Sequence, residues 1–265
     1  MSESAAHDSV RYEVDGAVAI VTLNRPKAMN SLTTPMKAAL LETLDLAGSD
    51  MAVRAVILTG AGRGFCGGQD LREHAAALEA GQGADTVRLH YNPIVNAVVS
   101  MPKPIIAAVN GVAAGAGASL ALACDLRVAA AGATMMMAFA RVGFGPDTGS
   151  SWTLQRLVGR GRAAELLMLA EPIDAARMLE VGLVSSVVPG EELAGAARRL
   201  ARRLAEGPTA AYAAIKEALD FAAGHGLRET LDREADLQER LAGTSDHIAA
   251  TQAFVRKDTP TFQGH

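Results

Sequence analysis

Twice in this chain a short apolar run rich in β-branched residues ends in a cluster of glycines and then enters a helical pattern. The first is Arg54-Ala-Val-Ile-Leu-Thr59, followed by Gly62-Arg-Gly-Phe-Cys-Gly67. The second is Ile105 to Val109, followed by Asn110-Gly-Val-Ala-Ala-Gly115-Ala116-Gly117. Runs of this length without a polar face read as strands covered on both sides, which is how parallel strands are buried. Strands that alternate with helices predict an α/β core.

The rest of the chain fits that frame. Val10 to Val14 and Ala17 to Leu23 flank Asp15-Gly16, a hairpin signal. Asn24-Arg25-Pro26 breaks the pattern, and Thr33 to Ala47 carries apolar residues at helical spacing. Helices are expected over Leu71 to Glu79, Val87 to Ser100 and Ala116 to Cys124, with a loop at Gly81 to Gly83 and stops at Pro102 and Pro104. Arg127 to Ala130 and Thr134 to Met137 read as short strands. Beyond them, Glu192 to Ala205, Thr209 to Ala223, Leu227 to Leu241 and Asp246 to Lys257 read as helices parted by Gly207-Pro208, Gly224 and Gly243. The cluster Arg198, Arg199, Arg202 and Arg203 reads as the solvated face of its helix. Pro104 to Leu126 is nearly uncharged and holds Gly111-x-x-x-Gly115, as a membrane helix could. Asn110-Gly111 inside it is a turn signal, so a buried strand, a turn and a buried helix are expected.

Composition excludes several classes. The 265 residues carry a net charge of -4, which offers no basic field to a nucleic acid. The 2 cysteines, Cys66 and Cys124, cannot form a disulfide framework and suit a reducing compartment. The 6 histidines show no metal-ligand spacing, so no metal site is expected. Met1 to Asp8 lacks the basic and apolar regions of a leader, and a cytoplasmic protein is expected.

The glycine turns admit more than one chemistry. Gly62-x-Gly64-x-x-Gly67 matches a dinucleotide fingerprint between a strand and a helix. That reading, a nicotinamide-dependent oxidoreductase, needs an acid capping the next strand about 20 residues on. Asp85 has the distance but no strand beneath it. Two such turns can also aim N–H groups at one point, as an oxyanion hole requires. Two purely structural turns would need the same glycines.

Gly62-Arg-Gly-Phe-Cys-Gly-Gly-Gln-Asp-Leu71, Pro102-Lys-Pro-Ile-Ile-Ala-Ala-Val-Asn-Gly-Val-Ala-Ala-Gly-Ala-Gly117 and Ala123-Cys-Asp-Leu126, in this order, resemble the crotonase superfamily of enoyl-CoA hydratases and isomerases. The likeness runs from about Val14 to Phe262 and includes Leu23-Asn-Arg-Pro26. It implies a β/β/α spiral core over residues 1–196, a C-terminal helical trimerisation region over 197–265, and homotrimers or dimers of trimers. It also implies an acyl-CoA thioester substrate, with coenzyme A entering as part of the substrate and no separate cofactor. By the resemblance, the backbone N–H groups of Gln69 and Ala116 hold the thioester oxygen. Such donors stabilise an enolate by ~3–4 kcal/mol each.

Hydratases of this family use two glutamates, and the matching positions here are Ser119 and Phe139. Neither can move a proton. Asp147, in Gly145-Pro-Asp-Thr-Gly-Ser-Ser-Trp152, is the remaining carboxylate. An Asp before a helix is also a natural N-cap. Family members without the glutamate pair, among them dienoyl-CoA isomerases and ring-1,2-epoxyphenylacetyl-CoA isomerases, place a catalytic aspartate here. The epoxide isomerases share Tyr91-Asn-Pro93, Met137-Ala-Phe139 and Pro146-Asp147, but usually have two glycines where Ser150-Ser151 precedes the tryptophan. Chlorobenzoyl-CoA dehalogenases share the aspartate stretch too. Their histidine and tryptophan fall here on Asn92 and Phe139, which argues against that chemistry.

The expected activity is isomerisation of an unsaturated or epoxide-bearing acyl-CoA, with Asp147 as base and Tyr91, Asn92, Met137, Phe139 and Trp152 lining the acyl pocket. Met137 and Phe139 equally suit plain core packing. The resemblance lays Lys27, Ala28, Cys66, Gly68, Asp70 and Leu71 along coenzyme A and brings Phe254 and Lys257 to the nucleotide from a neighbouring subunit. Two alternatives stand beside this: an enoyl-CoA hydratase, and a non-catalytic acyl-CoA-binding scaffold.

Overall fold

The computed structural model describes residues 8–81 and 85–265. The expected leaderless opening therefore lies outside the described residues up to His7, as does the loop at Gly81 to Gly83 beyond its first residue.

Strands β1 (Val10–Asp15) and β2 (Val18–Leu23) form the expected hairpin, with Val10 opposite Leu23 and Asp15 opposite Val18. A 3-10 turn at Pro26–Ala28 leads to helix α1 (Thr34–Ser49), which buries a stripe through Met36, Leu40, Leu44 and Ala47. Three strand–strand–helix units follow. The first is β3 (Ala55–Gly60), β4 (Gly64–Cys66) and α2 (Leu71–Glu79). A π-helical turn, Val87–Tyr91, then runs into α3 (Asn92–Val99), where the sequence pattern suggested one uninterrupted helix. The second unit is β5 (Ile105–Val109), β6 (Val112–Ala114) and α4 (Ala116–Ala123). The third is β7 (Leu126–Ala130), β8 (Thr134–Met136), a 3-10 turn at Ala138–Val142, and α5 (Ser150–Leu169), broken at Gly159.

The units wind into a spiral because their first and second strands join different sheets. With β9 at Ile173–Asp174 and β10 at Ser186–Val188, the large sheet has the order β1-β2-β3-β5-β7-β10 and is parallel from β2 onward. The small sheet has the order β4-β6-β8-β9 and is parallel through its first three strands. Helix α6 (Ala175–Glu180) lies between β9 and β10. Each unit thus makes one turn from a small-sheet strand towards a helix. Gln69, Ala116 and Asp147 lie on these three turns.

The segment resembling a membrane helix is β5, β6 and α4, of which the helix has 8 residues. No helix among the described residues is long and apolar enough to cross a membrane. The dinucleotide alternative fails because β4 occupies the middle of its motif, so that turn does not run straight into a helix.

Helices α7 (Leu193–Ala205), α8 (Thr209–Ala222), α9 (Leu227–Ala242) and α10 (Ser245–Arg256) complete the chain. The boundary expected between 196 and 197 falls inside α7. That helix buries Leu193, Ala197, Ala201 and Ala205 against β2, β3, β5 and β7, so the cover of the large sheet continues to Ala205. Its outer face carries Arg198 and Arg202, both paired with Asp15 of the hairpin.

Candidate active site

The first two spiral turns are pressed together by the absence of side chains. A Cβ on Gly117 would stand 2.2 Å from the Cys66 carbonyl oxygen. One on Gly68, whose φ is +85, would stand 2.6 Å from the Ala114 oxygen and 3.4 Å from the Ala116 nitrogen. Only glycine allows this approach, and it brings the peptide before Gln69 against the start of α4. Asparagine side chains brace the first turn. Asn30 donates to the Gly64 and Phe65 carbonyls, and Asn110 donates to the Gly62 and Gly64 carbonyls. Leu32 clamps the same turn by donating to Gly68 O at 2.7 Å and accepting from Asp70 N at 3.1 Å. Among the described residues the Gln69 and Ala116 N–H groups have no acceptor. Ala116 opens its helix, where such orphan donors are expected.

The Gln69 side chain turns to a buried polar cluster that sequence reasoning missed. Its Oε1 accepts from the Tyr91 hydroxyl at 2.6 Å and from Lys37 Nζ at 3.2 Å. Lys37 also donates to Thr86 Oγ1 at 2.6 Å and lies 4.9 Å from the Tyr91 ring centroid. Thr86 and His90 Nδ1 are 3.2 Å apart. A cavity in front of Gln69 is lined by Lys37, Glu73, His74, Asp85, Thr86 and His90, among others. Lys37 is 1% exposed, and its burial pulls the ammonium pKa down against the opposing pull of Glu73 and Asp147. A signal for it existed: a lysine on the apolar stripe of α1, between Met36 and Leu40, breaks the pattern of its helix.

Asp147 does not cap α5. The cap position is Gly149 with φ 72, and the Asp147 carboxylate accepts instead from the Thr148 hydroxyl at 2.6 Å. Thr148 is buried with φ 52, a left-handed conformation that a β-branched residue adopts only under constraint. Burial raises the Asp147 pKa above its ordinary value, opposed by the Thr148 hydrogen bond and the charge of Lys37. Asp147 in turn helps raise the Tyr91 pKa, behind burial and Cys66. Asp147 is thus electrostatically coupled to the two side chains that grip Gln69.

The other predicted residues separate into those near this centre and those elsewhere. Ser119 is fully buried and donates to Gly115 O at 3.1 Å, and Phe139 sits in the hydrophobic core. Met137 is core as well, so packing is what the structure gives both lining candidates from that segment. Tyr91 meets Gln69, whereas Asn92 is exposed at the start of α3. Trp152 lies apart from this centre. It lines a second cavity with Asp125, Lys216 and Asp220, stacked 4.2 Å from Arg156, and that cavity shares no lining residue with the one before Gln69.

The Asp70 side chain is engaged within the fold. Its carboxylate caps α2 through Arg72 N and Glu73 N and pairs with Arg25 at 2.9 Å, so it is spent on structure. The Cys66 thiol is enclosed and donates to Asn30 O at 3.2 Å, and burial pushes its pKa up to about 12. Lys27 and Leu71 are exposed, Ala28 is half-buried, and Gly68 is the buried contact already described. Phe254, 84% exposed, and Lys257 lie at the outer end of α10.

Comparison with known proteins agrees with this architecture. Residues 13–265 match the family model described as enoyl-CoA hydratase/isomerase. The chain is 42% identical to a Rhodobacter capsulatus protein named "Probable enoyl-CoA hydratase", over 98% of this chain and 99% of that protein. It is 44% identical to 1,2-epoxyphenylacetyl-CoA isomerase of Escherichia coli, over 95% of this chain and 97% of that protein. The crystal structure of enoyl-CoA hydratase from Bacillus anthracis superposes with a TM-score of 0.89 at 34% identity, covering 97% of this chain and 100% of that one.

Proposed function

The chain belongs to the enoyl-CoA hydratase/isomerase family, and from that premise we propose that it isomerises an unsaturated or epoxide-bearing acyl-CoA by proton transfer through Asp147. One observation carries this reading: Asp147 is an uncapping, half-buried carboxylate on the third spiral turn, while Ser119 and Phe139 leave no acid at the two hydratase positions.

The geometry supports the following mechanism. The thioester oxygen lies against the Gln69 and Ala116 N–H groups, which have no acceptor of their own among the described residues. As the α-carbon or a vinylogous carbon loses its proton, negative charge gathers on that oxygen and the two donors stabilise the enolate. Asp147 takes the proton; burial raises its pKa and makes its carboxylate a stronger base than an ordinary aspartate. Protonated Asp147 then returns the proton to another carbon of the same conjugated system. One base suffices for such a shift, whereas hydration also needs a positioned water and an acid for it. Tyr91 and Lys37 fix the Gln69 side chain and with it the peptide that donates. A homotrimer or a dimer of trimers fits the exposed apolar residues Leu227, Phe254 and Val255 on the last helices.

The test is proton NMR in deuterated water with a 3-enoyl-CoA and, in parallel, its 2-enoyl isomer. The expected result is conversion of the 3-enoyl to the 2-enoyl thioester with deuterium entering and no 3-hydroxyacyl product. Rapid 3-hydroxyacyl-CoA formation from the 2-enoyl thioester would favour the hydratase reading, for which the 42% identical relative's name speaks. Tight binding without exchange or hydration would leave a scaffold.

A further inference from the structure

Lys37 is a buried cation whose partners do not account for it. An ammonium has three N–H donors, and here one goes to Gln69 Oε1 and one to Thr86 Oγ1, both neutral acceptors. Among the described residues it makes no ion pair. Taking a lysine ammonium out of water without a carboxylate in contact costs several kcal/mol, roughly, and folded proteins keep such arrangements at working sites. Lys37 also lines the cavity in front of Gln69, and Asp147 is near enough for its charge to act on it. Apart from the Tyr91 ring, 4.9 Å from Nζ, that cavity is what the third N–H has to face.

The surroundings say what that N–H can receive. The cavity lining is polar, with Thr34, Glu73, His74, Asp85, Thr86 and His90 beside Lys37 and few apolar side chains. A plain hydrocarbon chain would gain little there and would strip water from polar groups without replacing their hydrogen bonds. A carboxylate would meet Glu73 and Asp147, whose charges already act on Lys37. A neutral oxygen acceptor avoids both penalties.

We propose that Lys37 is a substrate-binding residue whose free N–H receives a neutral oxygen of the acyl group, so that the site prefers acyl-CoA thioesters oxygenated away from the thioester carbonyl. This rests on reading the Gln69 cavity as the acyl site of the proposed isomerase.

The experiment is calorimetric titration of the full-length protein with saturated, non-isomerising probes: octanoyl-CoA, octanoyl-CoA analogues with one keto group placed at successive positions beyond the thioester, and the analogue ending in a carboxylate. The wild type is expected to bind the best keto analogue about 10- to 100-fold more tightly than octanoyl-CoA, as for one hydrogen bond from a charged donor. Lys37→Met is expected to bring that ratio near unity, and Lys37→Gln, which keeps an uncharged N–H donor, to retain part of it. The carboxylate analogue is expected to gain nothing. Equal binding of keto and unsubstituted chains by the wild type overturns the proposal without any variant. So does a preference that survives Lys37→Met, and tighter binding of the carboxylate overturns the neutral-oxygen assignment. If the NMR assay detects no isomerisation but the keto preference holds and depends on Lys37, the isomerase reading fails and the binding role stands. Isomerisation without the preference gives the converse.

Discussion

Asp70 and Asp147 occupy equivalent places in the spiral, each between a small-sheet strand and the helix that follows, and the protein uses them in opposite ways. Asp70 accepts from two N–H groups of α2 and pairs with Arg25, and these contacts hold its pKa below the usual range despite the opposing effect of burial. Asp147 accepts from one hydroxyl, caps nothing, and is driven above that range by burial. What separates them is backbone. Asp70 precedes its helix with extended geometry, φ -69 and ψ 105, which aims its side chain at the first turn. Asp147 is followed by two left-handed residues, Thr148 and Gly149, and the cap position of α5 falls on Gly149 instead. A position in a repeat therefore does not fix a role; the dihedral angles of the next two residues do.

The sharpest way to break the comparison is to remove the charge at each site. Asp147→Asn is expected to lower kcat by about 10²- to 10⁴-fold, the range for losing a general base, while the variant folds normally. Deuterium exchange into a 3-enoyl-CoA reads the loss. Unchanged turnover would end the assignment of Asp147. Asp70→Ala is expected to do the reverse, destabilising the fold by roughly 1–3 kcal/mol through a lost cap and an unpaired Arg25. Urea unfolding measures it, and a stability equal to wild type would show that the Asp70 contacts contribute nothing net.

Acidity separates the same pair by sign. Because the folded-state pKa of Asp70 is lowered, its contribution is present above the unfolded-state pKa and lost as pH falls through the folded one. The Asp70→Asn deficit is thus largest near neutrality and closes in acid. Asp147 has a raised folded-state pKa, so its contribution is present in acid and lost as pH rises through that pKa. Asp147→Asn should be at least as stable as wild type near neutrality, and the gap should shrink in acid. In turnover, the acid limb of kcat/KM should lie above the ordinary aspartate value of about 3.9. Lys37→Met should move that limb to still higher pH, since the cation lowers the Asp147 pKa; Glu73 and Tyr91, which share the cluster, stay in place. A limb that moves down, or not at all, would separate Lys37 from Asp147.

Much of this was legible in the residues, and the exceptions share a cause. The hairpin at Asp15-Gly16, the buried strands β3 and β5 and the four last helices follow from periodicity and turn chemistry, which are local. Strands β4 and β6 did not: each has 3 residues, as the foreseen β8 does, but β4 hides inside a glycine motif and β6 inside the Asn110-to-Gly117 turn. The turns bearing Gln69, Ala116 and Asp147 were readable from their glycines and from family likeness. Lys37 was not, since its partners Gln69 and Thr86 lie 32 and 49 residues away and only the fold joins them. The capping alternative for Asp147 failed for a comparable reason: the left-handed turn at Thr148 is held by its surroundings, against the residue's own preference.

The smallest expected effect tests how far the chemistry of the Asp147 turn extends along α5. Trp152 stands in the first turn of that helix, yet it faces the second cavity, with Arg156 over its ring and Lys216 and Asp220 in the wall. Lys216 there pairs with Asp125 at 2.9 Å, and the Asp125 carboxylate also accepts from the Ile105 N–H, so these polar groups are engaged in holding α8 to the sheet. If the acyl group lies before Gln69, Trp152→Phe removes a partly exposed indole from a structural contact. It is then expected to change stability by no more than about 0.5 kcal/mol, as for substitutions near the surface, and to leave KM and kcat at their wild-type values. Steady-state kinetics on the substrate that exchanges best would decide. A rise in KM confined to longer acyl chains would place the chain end in the second cavity, and the division between an inert start of α5 and a reactive turn before it would have to be redrawn.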